Sequence, residues 1–118
     1  MKDNIVYEKS YSFALRIIRL YCFLKEEKRE FVLSKQVLRS GTAIGALISE
    51  AKFAQSKADF INKMYIALKE ANETKYWLSL LKDSSYISEE MFLSIFPEIS
   101  EIVSLLVAIV KSSKENKS

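Results

Sequence analysis

The sequence predicts an all-α domain, an antiparallel up-down-up-down four-helix bundle spanning residues 1–118. Three observations predict it. Apolar residues recur at three- and four-residue spacing in four long segments separated by short polar breaks. No Asn-Gly or Asp-Gly turn and no sustained period-two alternation marks a hairpin. Hydrophobic residues make up 49% and charged residues 28% of the 118, with one proline, the composition of a folded, helix-rich chain. That length is one domain, large enough to bury a core without disulfide or metal staples.

The first helix is expected over about residues 7–25. Two adjacent apolar stripes run along it, Phe13, Ile17, Leu20 and Leu24 beside Tyr11, Leu15, Ile18 and Cys22, while Lys9, Ser12, Arg16 and Arg19 share a polar face. The apolar arc is about 220° wide, more than twice the roughly 100° that one core requires, so this helix is expected to be covered on two sides. The charge run Glu26 to Glu30 reads as a solvated connection.

The second helix is expected over about residues 32–54, with a face of small residues that includes Ser40, Ala43 and Ala51. Both glycines of the chain, Gly41 and Gly45, lie in its interior. Each costs about 1 kcal/mol relative to alanine, so the pair implies that another backbone passes close by.

Ser56 and Asp59 form a capping-box-like start for a third helix over about residues 57–82. Ile61, Met64, Leu68, Ala71 and Leu78 give it a bundle seam, which Lys75 interrupts and must snorkel from or find a partner for. Ser88, Glu89 and Glu90 open a fourth helix over about residues 89–112, whose apolar arc of about 200° is again over-wide. Pro97 predicts a kink near Ile95–Phe96, or a short helix followed by a longer one. The tail, residues 113–118, is expected to fray. Two over-wide helices in so small a chain predict that a second copy covers part of the apolar surface.

Catalysis has little behind it. The chain has no histidine, and its single cysteine, Cys22, lies in the apolar arc of the first helix. Glu70 and Glu73 are one turn apart with Glu50 on the preceding helix, but the Glu-x-x-His pairs of di-metal bundles cannot occur. No enzymatic activity, metal or cofactor is therefore expected. The lone cysteine and the lack of a secretory leader point to a reducing cytoplasm. The longest apolar-rich stretch, Ile99 to Val110, is too short for a membrane anchor, so no membrane association is expected.

The net charge is +3 with a pI near 8.9, unevenly divided. Residues 1–59 hold eleven Lys or Arg against seven Asp or Glu, and residues 60–118 hold seven against eight. The excess falls on Lys9, Arg16 and Arg19 of the first helix and on Lys28, Arg29 and Lys35 around the following turn, which makes these six the candidate nucleic-acid-binding residues. Arg39, Glu50, Glu70 and Glu73 are candidates for an ion network that holds helix register. Trp77 and Tyr76 are expected to pack at the bundle end or against a neighbouring subunit, with base stacking as the alternative.

The run KQVLRSGTAIGALISEA from Lys35 to Ala51, Ala58-Asp59-Phe60-Ile61, and IALKEANETKYWLSLLK from Ile66 to Lys82 resemble a bacterial four-helix-bundle family that includes proteins encoded by intervening sequences within 23S rRNA genes. Where many members have asparagine after the Gly-Ala pair, this chain has Leu47. The resemblance implies a left-handed bundle assembled as a ring-like homopentamer. It also implies a link to the accessory protein of diversity-generating retroelements, a related pentamer that associates with a reverse transcriptase and nucleic acid. In a pentamer, Lys9, Arg16 and Arg19 alone would supply fifteen like charges. The expected function is binding of nucleic acid, RNA or a ribonucleoprotein, by a homo-oligomer. The alternative is a protein-interaction scaffold that docks a partner such as a reverse transcriptase.

Overall fold

The structure is a computed structural model that describes residues 2–115. Four helices account for it: α1 (Lys2–Glu26), α2 (Leu33–Ala51), α3 (Lys57–Asp83) and α4 (Glu89–Glu115), with no strand among the described residues. Consecutive helices pack on one another and α1 closes against α4, giving a body of 51 × 22 × 19 Å.

Each helix buries one stripe whose spacing alternates between three and four residues. On α1 it is Val6, Ser10, Phe13, Ile17, Leu20 and Leu24; on α2, Ser34, Val37, Gly41, Ile44, Ile48 and Ala51. On α3 it is Met64, Ala67, Ala71, Thr74, Leu78 and Leu81; on α4, Ile95, Ile99, Ile102, Leu106 and Ile109. Val6 extends the α1 stripe by a turn, so α1 begins before the expected residue 7. Ser10 continues it with its hydroxyl donated to the Tyr7 carbonyl at 2.7 Å, which lets a polar residue sit in the core.

The glycines of α2 face α1. A Cβ on Gly41 would lie 2.9 Å from Cγ1 of the fully buried Ile17, and one on Gly45 would lie 3.1 Å from Oγ of Ser10. At Gly41 the contact excludes a side chain unless Ile17 shifts, whereas at Gly45 a movement of the Ser10 hydroxyl by a few tenths of an ångström admits a methyl group.

The helix ends show where the expectations need correcting. Glu30 is not a solvated member of its charge run. Its carboxylate accepts from the backbone amides of Val32, Leu33 and Ser34, at 3.2, 2.9 and 2.7 Å, while Ser34 Oγ donates back to its carbonyl. The buried side chain thereby caps α2. α2 ends at Ala51 instead of about Ala54, because Lys52, Phe53 and Ala54 bond three residues back in tightened turns. The α3 cap forms as expected, with Asp59 N–H donating to Ser56 Oγ at 3.0 Å. Ser88 Oγ likewise accepts from Met91 N at the start of α4. α4 then runs through Pro97 without dividing into two helices; Pro97 lies on the exposed side of the helix, clear of the buried stripe. It also continues past residue 112 to Glu115; the rest of the expected frayed tail, residues 116–118, lies outside the described residues.

By length and composition α4 is apolar enough to cross a membrane, a longer span than the Ile99–Val110 stretch suggested. In the bundle its five-residue stripe from Ile95 to Ile109 lies in the core. Lys75, the interruption in α3, finds a ring: its ammonium stands 5.4 Å from the Phe96 centroid.

Gly41→Ala and Gly45→Ala each gain about 1 kcal/mol of helix propensity, so their difference in urea denaturation reports packing. Gly41→Ala must displace a buried β-branched side chain and is expected to be destabilising by about 1–2 kcal/mol net of that gain. Gly45→Ala meets only a hydroxyl and is expected to be near neutral. Equal stabilities would contradict the close approach.

Candidate nucleic-acid interface

The polar side of α1 faces α4. Arg16 Nη1 donates to Glu98 Oε2 and, at 3.1 Å, to the Ser94 carbonyl, while Nη2 donates to Ser94 Oγ at 2.9 Å. Lys9 Nζ lies 3.3 Å from Glu101 Oε2. Both pairs are partly exposed and contribute at most about 1 kcal/mol each, but they change the electrostatics. Lys9 and Arg16, two of the six candidate cations, are neutralised within the chain.

Arg19, Lys28, Arg29 and Lys35 remain exposed and have no carboxylate partner among the described residues. Lys28 stands 5.9 Å from the Phe23 ring centroid. Arg29 takes a left-handed backbone, φ 54°, where the chain turns from α1 into α2. The exposed Glu26 and Glu27 share this turn, so it is mixed in charge. Arg19 also lines a half-open groove of about 450 Å³ between α1 and α4, together with Leu20, Phe23, Met91, Ile95 and Glu90. A second groove of about 300 Å³ lies farther along the same seam, beside Lys9 and Glu101.

The expected ion network forms on α2 and α3 with one change of membership. Arg39 bonds Glu73, Glu70 at 3.2 Å and Gln36 at 3.3 Å, and Trp77 Nε1 donates to Glu73 Oε2 at 2.8 Å. Glu50 takes no part; it sits 3.7 Å from Lys63. The separation along α2 explains this: Glu50 is eleven residues from Arg39, about 16 Å along the helix. Beneath the network the fully buried hydroxyls of Thr74 and Ser40 share a 2.8 Å hydrogen bond. Trp77 packs against the core with its edge on Tyr76, at 5.1 Å between centroids.

One feature was announced by the sequence and one escaped it. The second apolar stripe of α1 is left uncovered: Tyr11, Leu15 and Ile18 are 58, 44 and 44% exposed, and Cys22 is exposed beside them. The width of the apolar arc signalled it. Glu70 and Glu73 of α3 and Glu98 and Glu101 of α4 are turned towards α2 and α1, which the charge total of residues 60–118 conceals. Among the described residues no group of three or more His, Cys, Asp or Glu is placed to hold a metal ion.

The model of the 23S rRNA-intervening sequence protein family matches residues 2–108. The chain belongs to this family. A crystal structure of an S23 ribosomal protein family member of unknown function, from Bacteroides thetaiotaomicron, is 60% identical to it, with a TM-score of 0.92 over 94% of this chain and 99% of that one. No curated protein matches. The chain shares its four-helix fold with that S23 family protein, whose function is unknown.

In this family member Glu73 serves two partners, whereas the exposed Glu50 serves one lysine. Glu73→Ala is expected to cost about 1–2 kcal/mol in thermal or urea denaturation, and Glu50→Ala less than about 0.5 kcal/mol. Equal losses would show that the Arg39–Glu73–Trp77 contacts do not act together.

Proposed function

We propose that the protein is a non-enzymatic bundle subunit that assembles as a ring-like homopentamer and binds nucleic acid, RNA or a ribonucleoprotein, by charge and shape. Each subunit is read as a left-handed antiparallel up-down-up-down bundle. The alternating three- and four-residue stripes support the hand, because a seven-residue repeat winds helices left-handed. The connections support the order: residues 27–32, 52–56 and 84–88 are too short to cross a 51 Å body and return, so each helix must double back on the last.

The observation that carries the reading is the uncovered seam of α1. Tyr11, Leu15, Ile18 and Cys22 alternate in spacing by four and three residues, the pattern of a helix that has a partner. Assembly through that seam leaves Arg19, Lys28, Arg29 and Lys35 outside it and repeats them around the ring. Twenty cations in five copies form a field that a phosphate backbone neutralises, with counterion release as the driving force.

The groove between α1 and α4 favours a second reading, docking of a protein partner such as a reverse transcriptase on its apolar floor of Leu20, Phe23, Met91 and Ile95.

A gel-shift assay with structured RNA decides between the two. The wild type is expected to shift RNA at low salt and to release it steeply as salt rises. Replacing Arg19, Lys28, Arg29 and Lys35 with glutamine should weaken binding several-fold. Absence of any shift at low salt, with RNA or DNA, sinks the nucleic-acid reading and leaves the scaffold.

A further inference from the structure

The lysines of α3 and α4 are arranged differently from the cations of α1. The ammonium of Lys82 stands 4.9 Å from the Phe92 ring centroid, that of Lys75 5.4 Å from Phe96, and that of Lys114 5.8 Å from Tyr65. The three contacts run along the α3–α4 seam. Lys69 and Lys111 are exposed on the same two helices and have no ion-pair partner among the described residues.

The carboxylates of these helices stand elsewhere. Glu70 and Glu73 are held by Arg39 on α2, Glu98 by Arg16 and Glu101 by Lys9 on α1, and Glu90 lines the α1 groove. Asp83, 3.8 Å from Lys82, and Glu89 and Glu115 lie at the helix ends. Asp59 lies at the start of α3, 4.0 Å from Lys63, and Asp83 and Glu115 adjoin Lys82 and Lys114 at the two ends of the seam, so the acid-poor part of the α3–α4 face is the stretch between them that holds Lys75. A ring face stabilises an ammonium without discharging it, so Lys75 and Lys114 keep their full charge for an external anion.

Spacing identifies the anion. Lys82 and Lys75 are seven residues apart, about 10 Å along α3, and Lys114 meets α3 at Tyr65, about 15 Å farther on. Ammoniums so far apart cannot converge on one phosphate or carboxylate; they track an extended polyanion. The rings distinguish polyanions. Tyr65 is 47% exposed, and Phe92 and Phe96, the rings beneath Lys82 and Lys75, stack on each other at 4.6 Å. Lysines interleaved with aromatic faces match a strand that offers both phosphates and unpaired bases.

We infer that the α3–α4 seam is a binding track for single-stranded nucleic acid, with Lys75, Lys82 and Lys114 on the phosphates and the exposed Tyr65 available to stack a base. This rests on the nucleic-acid reading above but assigns a site separate from Arg19, Lys28, Arg29 and Lys35.

Fluorescence anisotropy with labelled uridine and deoxyuridine 20-mers, over a salt series, tests it on the full chain. Wild type is expected to bind the single strands. Lys75→Gln, Lys82→Gln and Lys114→Gln together should lower the slope of log affinity against log salt by about 2, near 0.7 per lost phosphate contact. The corresponding arginine variants should restore it, and tighter binding of the uridine strand would assign RNA over DNA. An unchanged slope in the glutamine variant overturns the track while leaving nucleic-acid binding at the α1–α2 turn intact. No binding of any nucleic acid by wild type overturns both readings. Equal competition by polyglutamate of matched charge assigns the lysines to an acidic protein and overturns the nucleic-acid track. Photocrosslinking of wild type to a thiouridine strand reads the site without substitution: adducts on α3 or α4 are expected, and adducts confined to α1 and α2 overturn it.

Discussion

The contact of α1 with α2 over Gly41 and Gly45 is the constraint from which the other faces follow. Seating Ile17 on Gly41 and Ser10 on Gly45 fixes the rotation of α1 about its own axis. Once that rotation is fixed, the 100° step per residue leaves no freedom elsewhere. Lys9 and Arg16 must point to α4, where they meet Glu101 and Glu98. Tyr11, Leu15, Ile18 and Cys22 must point away from the bundle, where they stand exposed among the described residues. A side chain on Gly41 would alter all of these directions together.

Charge is organised by seam. The α2–α3 seam is held by Arg39 with Glu70 and Glu73, and the α1–α4 seam by lysine and arginine of α1 with glutamates of α4. Exposed pairs of this kind add little stability, yet they orient acids towards two seams and leave the third, α3–α4, with lysines over rings. The segment with the lower net charge therefore presents a basic face whose acids stand only at its ends, while the segment with the higher net charge has part of its cations paired. A count along the chain averages over directions that folding separates.

The helical architecture was legible because apolar spacing and the Ser56 and Ser88 caps are local signals. The glycine pair also announced a close approach, although only the folded chain identifies Ile17 and Ser10 as the groups that come near. The regular core repeat was harder to see. Ser10, Ser34, Gly41 and Thr74 occupy core positions and break the apolar pattern, the hydroxyls of Ser10, Ser34 and Thr74 being satisfied by the backbone or by Ser40. Glu30 was misleading for a related reason: a carboxylate in a charge run looks solvated, but three backbone amides bury it as a helix cap. Of the candidate site, Arg19, Lys28, Arg29 and Lys35 were legible as exposed charge. The pairing of Lys9 and Arg16 depends on contacts more than eighty residues apart in the chain, which no local pattern encodes.

The central claim is that the outward stripe of α1 is a contact surface between copies of this chain. Light scattering coupled to size-exclusion chromatography tests it directly. The wild type should elute with five times its 13.6 kDa subunit mass, and Leu15→Lys with Ile18→Lys should fall to the monomer while keeping the helical circular dichroism of the folded bundle. A wild-type protein of monomer mass at micromolar concentration, or a doubly substituted protein that remains pentameric, would contradict the account.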